Sequence, residues 1–422
     1  MGTSIAGFMT RTDRINAMAG MQRMSRMGLM PWGSPPAFNH LMLFDGTRND
    51  RNNVPLSGNP YQTNIANLYD QANPVVNGKI KTDLSVSYSP GVGSGGHTGG
   101  IMAATLWPTP AVNRIADDMY RKAVGHAIRF QNSNPHISPL EYSVSMASFS
   151  RGSGSQMNVA WRLENQGLVT PTGQVIAPPG VPVHQMAMLD PVQTGIGGNM
   201  CIPPNVKAPI LVVESRHERR SQFAVADYGR DPRVVVVRMP GNHAGVGGGQ
   251  DVGGTGAMVL EGVTRYFQHG GSPIASVPPP WRTRWGAPIA LRSDAYQTAH
   301  NGDVLYTHGV PATQWRLSGD VENRSRSALS GSNNGLCTAP PSRRPAGATP
   351  WLSGFRPRTA APFAGNPIGQ NRSDLSPRFT PRLPSMNLAT GHWSMSVNRA
   401  RSFSLAAPSP MGLSAPIGSS MF

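Results

Sequence analysis

The sequence predicts an α/β protein in which helices flank a mostly parallel sheet. Short apolar runs rich in β-formers alternate with longer segments of helical periodicity over residues 39–270. Several of these runs end in polar or glycine-rich turns. Such alternation implies parallel strands joined by right-handed crossovers, and about 230 residues are enough for one buried core.

Each element follows from its local pattern. Helix 63–69 begins at a polar cap, either Thr63 or Asn64. Helix 111–130 places its apolar residues on one face and its charged residues on the other. The β-branched run at 233–239 is typical of a strand that is covered on both faces. In chain order we predict strands at 40–44, 80–88, 142–147, 183–189, 210–213 and 233–239, and helices at 63–69, 111–130, from Gln156 to Leu163, and at 255–267.

Composition divides the chain into four predicted regions. Residues 1–38 form a flexible Met/Arg-rich arm, although methionines three residues apart from Met18 to Met27 also fit a short amphipathic helix. Residues 39–280 form the α/β domain and residues 281–340 a small annex or lid. Residues 341–422 carry nine arginines against one aspartate, a net charge of +8, and their composition predicts disorder.

Composition also excludes several classes of protein. The two cysteines, Cys201 and Cys337, allow one bridge and have no metal-type spacing. No apolar run is long enough to span a membrane, and no ordinary secretory signal is visible. The Arg-rich tail leaves a nucleic-acid binder as an alternative, but no specific nucleic-acid motif is present.

The stretch from Tyr142 to Leu163 predicts a nucleophile. A short strand is followed by Ser148-Phe149-Ser150-Arg151-Gly152 and then by a helix. A strand that presents one serine and turns at once into a helix is the nucleophile elbow of α/β-hydrolases. The usual pattern begins with glycine, and Ser148 stands in that place. A second glycine run, at 91–96, formally fits a dinucleotide-binding pattern, but no helix pattern follows it, which favours a rim loop.

Three polar residues each follow a predicted strand, in the chain order Ser150, Asp190, His243. This is the order of the catalytic triad in α/β-hydrolases, with serine as nucleophile, histidine as base and aspartate orienting the histidine. The backbone N–H of Arg151 and the Gly46–Thr47 loop would then bind the oxyanion.

Other interpretations of these residues remain open. Ser150 also fits a turn serine, Asp190 a turn residue before Pro191, and His243 a loop histidine. Glu214 is the rival acid because it also ends a strand. However, Arg216, Arg219 and Arg220 follow it, as in a self-paired charged surface.

These blocks resemble the bacterial α/β-hydrolase domain of the first class of type VI secretion lipase effectors, which are phospholipases. The resemblance covers roughly residues 40–270, with departures at Ser148, Pro191 and Ala244-Gly245. It lies in the blocks Phe44-Asp45-Gly46-Thr47 with Asn49, Thr63-Asn64-Ile65 with Leu68-Tyr69, Tyr88 with Pro90-Gly91-Val92-Gly93, Phe149-Ser150-Arg151-Gly152, Leu189-Asp190-Pro191-Val192, His217-Glu218-Arg219-Arg220 with Phe223, and Pro240-Gly241 with His243 and Val246-Gly247-Gly248-Gly249.

The resemblance implies a serine esterase that acts on membrane phospholipid and needs neither metal nor organic cofactor. It also implies an effector made in the bacterial cytoplasm, exported without a cleaved signal peptide, and partnered by an immunity protein or the secretion apparatus. The main alternative is a catalytically inactive interaction module that keeps the fold.

Overall fold

A computed structural model of the chain describes residues 6–7, 11–27, 36–59, 61–72, 75–76, 79–80, 86–216, 218, 221–249, 254–272, 274–277, 289–290, 325–332 and 337. The predicted disordered tail and most of the predicted annex lie outside these residues. The limits of the four predicted regions therefore stay predictions.

A six-stranded sheet forms the centre of the fold, and every neighbouring pair of its strands is parallel. This confirms the predicted fold class. In chain order the strands are β1 Phe38–Phe44, β2 Val86–Ser89, β3 Tyr142–Phe149, β4 Val183–Leu189, β5 Ile210–Ser215 and β6 Val234–Met239.

Seven helices are described: α1 Arg11–Met27, α2 Asn64–Ala72, α3 Ile101–Thr105, α4 Pro108–Ser133, α5 Gly152–Gln166, α6 His243–Gly247 and α7 Gly254–His269. Among the described residues, none of the helices has both the length and the apolar character needed to cross a bilayer.

Shorter elements complete the described chain. Two-residue and three-residue strands pair as Ala6–Gly7 with Ile289–Ala290, Val75–Val76 with Lys79–Ile80, Leu168–Val169 with Val175–Ala177, and Val225–Ala226 with Arg326–Ser327. Single 3-10 turns lie at Val54–Ser57, Gly96–Thr98, Pro139–Glu141 and Ser221–Phe223.

The strand order across the sheet is β6-β5-β4-β3-β1-β2. The chain therefore adds β2 on one side of β1 and then crosses to the other side for β3. Such a reversal of direction opens a crevice at the carboxyl ends of the two strands, where open α/β sheets bind ligands. Here that crevice lies between Phe44, the last residue of β1, and Phe149, the last residue of β3.

Two apolar layers cover the sheet. Alternate strand residues point to opposite faces, so β5 sends Ile210 and Val212 to one layer and Leu211 and Val213 to the other. Helices α4 and α5 pack in the first layer, and α1, α2 and α7 in the second. The run at 234–239 differs from its prediction, because it is the edge strand and its valines 234–236 are only partly buried.

The amino-terminal segment also differs from the predicted flexible arm. Residues 11–27 form a helix that packs on α7 and β6, and the side chains of Met24 and Met27 are buried. Two glycines allow the close approach. A Cβ on Gly20 would lie 2.5 Å from the Met239 sulfur, and one on Gly262 would lie 2.6 Å from the Met24 methyl carbon. The methionine spacing therefore marks a packed helix.

A disulfide joins the sheet domain to a late part of the chain. Cys201 bonds to Cys337, 136 residues further along. Residues 325–332 also rest on the domain, where the Gln193 amide donates to the Ser327 hydroxyl at 3.0 Å and accepts the Ser330 N–H at 3.1 Å. This segment of the predicted annex is therefore tied to the loop that follows β4.

Candidate active site

Ser150 lies in the tight turn between β3 and α5, and its backbone φ is 55°. A left-handed backbone is uncommon for a residue with a Cβ and is characteristic of strained functional turns. Gly152 explains why the turn needs small residues, because a Cβ there would lie 2.5 Å from the carbonyl oxygen of Phe44. Ser148 is fully buried within β3, so the fold accommodates a Cβ at the position where the elbow pattern has glycine, but the Ser148 hydroxyl forms no hydrogen bond to the described residues.

The structure brings Ser150, His243 and Asp190 into one hydrogen-bonded chain. The Nε2 atom of His243 lies 2.8 Å from the Ser150 Oγ, and its Nδ1 atom lies 2.6 Å from the Asp190 Oδ2. All three side chains are buried, with 3%, 5% and 0% of their surfaces exposed. With a proton on Nδ1, the ring donates to the carboxylate and accepts from the serine hydroxyl.

Asp190 is fixed by the neighbouring strand. Its Oδ1 accepts the backbone N–H of Ser215 at 2.7 Å, and its Oδ2 accepts the Ser215 hydroxyl at 3.2 Å. Its own backbone φ is 44°. Ser215 is not among the site residues predicted from the sequence, although it lies at the carboxyl end of the strand next to β4. Two donors from Ser215 therefore hold the carboxylate against the histidine.

Glu214 does not contact His243 through its side chain. It is 1% exposed and forms ion pairs with Arg326 at 2.7 Å and Arg238 at 3.3 Å. The sequence predicts that Glu214 is paired at the surface with the arginines that follow it. The carboxylate is instead buried, and its partners are Arg238 of β6 and Arg326 of residues 325–332. The hydrogen bond to Glu214 raises the pKa of the Arg326 guanidinium, so this contact stabilises its charged form.

Aromatic rings and a second acid surround the histidine. Phe149 stacks on the imidazole with ring centroids 4.6 Å apart, and Phe223 meets it edge-on at 4.7 Å. The Glu218 Oε2 accepts the backbone N–H of His243 at 3.3 Å. Glu218 is only 3% exposed, so this part of the predicted charged surface faces the site. These contacts limit the motion of the ring.

The backbone N–H groups predicted to bind the oxyanion differ in whether they already donate to another acceptor. Within the described part of the chain, the backbone N–H groups of Arg151 and Thr47 donate to no acceptor. The N–H of Gly46, in contrast, donates to the Asp45 Oδ1 at 2.7 Å. Gly46 contributes through its shape, because a Cβ there would lie 2.5 Å from the Phe149 ring. The geometry thus leaves Arg151 and Thr47 as the candidate pair of donors.

Asp45 ends β1 and organises the loop that carries Thr47. Its Oδ2 accepts hydrogen bonds from the Tyr88 hydroxyl at 2.7 Å and from the Thr63 hydroxyl at 2.8 Å. Thr63 also caps α2, since its Oγ1 accepts the Ala66 N–H. Burial of the carboxylate raises the pKa of Asp45 to about 6, although these hydrogen bonds act against the rise. The sequence had assigned no chemical role to Asp45.

The side chain of Arg151 forms hydrogen bonds to three segments that surround the site. Its Nε donates to the Thr194 carbonyl at 3.0 Å, and its Nη1 donates to the Ala104 carbonyl at 2.9 Å and to the Thr47 hydroxyl at 3.4 Å. Burial lowers the pKa of the guanidinium from its ordinary value. The residue after the serine thereby anchors the β1 loop and α3 beside the site.

Left-handed backbone is concentrated at this site. Among the described residues, the non-glycine residues with positive φ are Arg48, Ser150 and Asp190. They follow β1, β3 and β4, at the same edge of the sheet. No cluster of three metal-ligating side chains occurs anywhere in the described ranges. The arrangement fits nucleophilic catalysis by a serine whose proton passes to a histidine.

Comparisons with known proteins give only distant likenesses. No protein-family model matches the chain, and no curated protein matches it. Similar solved structures include a crystal structure of an uncharacterized protein from Pseudomonas aeruginosa, with 18% identity and a TM-score of 0.43 over 64% of this chain and 50% of that one. Another is the Tle1 effector bound to the VgrG spike from the Type 6 secretion system, with 16% identity and a TM-score of 0.33 over 52% of each chain. The match thus spans about half the length of either structure, and at these values it carries no argument about activity.

Proposed function

We propose that the protein is a serine hydrolase that cleaves carboxylic esters through Ser150, His243 and Asp190. The observation that carries the proposal is the continuous contact from Ser150 Oγ to His243 Nε2 and from His243 Nδ1 to Asp190 Oδ2, at 2.8 and 2.6 Å. The left-handed backbone of Ser150 supports the same assignment.

In the proposed reaction, the Ser150 Oγ attacks the carbonyl carbon of the ester while His243 Nε2 takes the hydroxyl proton. The tetrahedral oxyanion is stabilised by the N–H groups of Arg151 and Thr47. Asp190 stabilises the imidazolium and keeps its Nδ1–H in place. The intermediate then expels the alcohol, which receives the proton from Nε2. Water then attacks the acyl carbonyl while His243 Nε2 takes its proton, and the second tetrahedral intermediate breaks its bond to Ser150 Oγ. The serine regains the proton from Nε2 and the carboxylic acid leaves.

The test of this proposal is the Ser150→Ala variant. We expect turnover of a soluble p-nitrophenyl ester to fall by about 10⁴-fold or more, because removing a triad nucleophile has an effect of this order in serine hydrolases. A fluorophosphonate probe should label the native protein and fail to label the variant. The variant should unfold at nearly the native temperature, since only one hydroxyl is lost.

Two outcomes of this test separate the alternatives. Retained esterase activity in Ser150→Ala would refute the nucleophile assignment. A native protein that neither turns over esters nor reacts with the fluorophosphonate would favour the non-enzymatic interaction module. Ser148, one of the two departures that favour that module, is buried within β3.

We further propose that the substrate is a membrane lipid, and specifically a phospholipid. The support is the sequence resemblance to lipase effectors at the elbow, the histidine loop and the segment that contains Glu218 and Phe223. A secretion-apparatus or immunity partner, and export from the bacterial cytoplasm, stay predictions from the same resemblance. Hydrolysis of defined phospholipids by the native protein, with Ser150→Ala as control, would test the substrate class.

A further inference from the structure

A short exposed segment beside the site is strongly apolar. Ile101, Met102, Leu106 and Trp107 have 54%, 51%, 59% and 66% of their surfaces exposed, and we name these four residues the apolar rim. They belong to α3 and the two residues that follow it. Large apolar side chains clustered in this way on a surface usually mark an interaction site.

The inner side of this segment is fixed to the catalytic turn. The Ala104 carbonyl accepts the Arg151 guanidinium at 2.9 Å, and Arg151 is the residue after the nucleophile. Ala104 itself is 6% exposed and packs on Gly93, where a Cβ would lie 2.5 Å from its methyl carbon. The helix therefore holds its outer apolar side chains in a fixed place at the edge of the serine site.

The chemistry of the rim suits a lipid bilayer. From Pro90 to Asn113 the sequence contains no Asp, Glu, Lys or Arg, so no charged side chain needs to lose its water when the rim is covered. Trp107 has the amphipathic ring that favours the headgroup level of a membrane. Aliphatic and aromatic residues on one exposed face are typical of segments that insert shallowly.

The charges at the border of the rim match those of a lipid surface. Arg114 is exposed on α4, and its guanidinium reaches back over the glycine-rich loop to the carbonyl of His97 at 3.0 Å. Asp118 on the same helix is paired with Lys122 at 2.7 Å. Residues 39–340, which include the rim, carry a net charge of +5, and this charge attracts anionic headgroups.

We propose that the apolar rim enters the headgroup region of an anionic phospholipid bilayer and so brings the serine site to lipid. This inference rests on the proposed ester hydrolase function, because the rim would hold the active site against the surface that contains its substrate. In this arrangement α3 is the contact with the membrane and Arg151 connects that contact to the catalytic turn.

The experiment measures binding and catalysis separately. In the full chain with Ser150→Ala, co-sedimentation with phosphatidylglycerol/phosphatidylcholine vesicles is compared before and after Leu106→Ser and Trp107→Ser. We expect bound protein to fall about tenfold in this double exchange, because it removes two large apolar groups from the interface. Leu140→Ser is the matched control, since Leu140 is 76% exposed and lies before β3, at the opposite edge of the sheet.

With native Ser150, the same exchange should leave hydrolysis of a soluble short-chain ester within about twofold and reduce hydrolysis of vesicle lipid about tenfold. Equal vesicle binding by the rim variant and the Leu140→Ser control would overturn the proposal. A change in oligomeric state by light scattering, with vesicle binding unaltered, would assign the rim to a second copy and also overturn it. If neither substrate is hydrolysed but the rim variant still loses binding, the rim stands and the hydrolase function fails.

Discussion

Two buried carboxylates at the same edge of the sheet have different partners. Asp190 follows β4 and contacts an imidazole, whereas Glu214 lies near the end of β5 and contacts two guanidinium groups. Position in the sequence alone does not distinguish the two acids, because each lies at the end of a strand. The difference lies in side-chain direction. Glu214 shares its strand face with Ile210 and Val212, which pack with α4 and α5.

The neighbour of Glu214 points the other way. Ser215 donates through both its N–H and its hydroxyl to Asp190, which faces the layer that contains Phe149 and Leu189. One strand end therefore serves two purposes, with Glu214 binding residues 325–332 and Ser215 holding the carboxylate beside the histidine. Counting alternate residues along β5 from its apolar core would have assigned Glu214 to the face away from Phe149.

The largest effect that this comparison predicts is on Asp190→Asn. The amide keeps the size of the side chain but no longer favours the tautomer of His243 that can accept the serine proton. We expect turnover of a soluble ester to fall by about 10⁴-fold, as the same exchange does in a serine protease. Steady-state kinetics at one pH, with circular dichroism as the folding control, would measure it. A loss of less than tenfold would show that another group orients the histidine.

A third buried carboxylate, Asp45, extends the comparison because it accepts hydrogen bonds from three neutral donors, the Gly46 N–H and the hydroxyls of Thr63 and Tyr88. Its pKa in the folded protein is about 6, above an ordinary value near 3.8. The protonated form is therefore favoured by folding, and the stabilisation it gives is fully present below pH 3.8 and lost as the pH rises through 6. Relative to Asp45→Asn, the native protein should gain about 3 kcal/mol of unfolding free energy on going from pH 7 to pH 3.8.

Urea denaturation of both proteins across that pH window would measure the difference. Tyr88→Phe sharpens the test, because the Tyr88 hydroxyl donates to Asp45 and lowers its pKa. Without that donor, the transition in stability should move to higher pH. A pH-independent difference between native protein and Asp45→Asn would show that the carboxyl group does not titrate in this window.

A smaller effect is expected from Glu214→Gln, and it should fall on stability. Loss of a buried ion-pair partner costs 3–5 kcal/mol in dry interiors, but Arg326 and Arg238 are 29% and 51% exposed and can be hydrated. We therefore expect about 1–3 kcal/mol, read from the midpoint of urea unfolding. Turnover per folded molecule should stay within about tenfold of native.

Arg238→Gln is the control for that measurement, since it removes only the more exposed partner. Its cost should be about 0.5 kcal/mol, the usual size of an exposed pair. If Glu214→Gln lowers turnover more than Asp190→Asn does, the acid assignment is wrong, while the assignment of Ser150 as nucleophile could still hold.

The strands and their order along the chain were accessible from the sequence because apolar runs and turn residues are local signals. The elbow was accessible for the same reason, since Ser150 and Gly152 stand at fixed spacing. The contacts made by Ser215, Asp45 and Glu218 were not, because each depends on which strands become neighbours. The structure brings Ser150, Asp190 and His243 together, and their catalytic roles stay a prediction until the variants are measured.

The packing of α1 shows another limit of local patterns. Its methionines lie among arginines and glycines, a composition that also suits a solvated arm. The helix buries its methionines only because α7 and β6 offer a complementary surface, in which Gly262 lies opposite Met24. The spacing of the methionines within these seventeen residues fits a helix, but it does not identify the surface against which the helix packs.

The left-handed backbone at Ser150, which the proposed reaction requires, lowers the stability of the folded protein. An L-residue in this conformation is disfavoured by about 1–2 kcal/mol, a cost from which glycine is free. Ser150→Gly should therefore unfold at a higher temperature than Ser150→Ala while being equally inactive. A chain released from the need to react would tend to accumulate glycine here, and the serine persists only while its chemistry outweighs the thermodynamic gain from losing it.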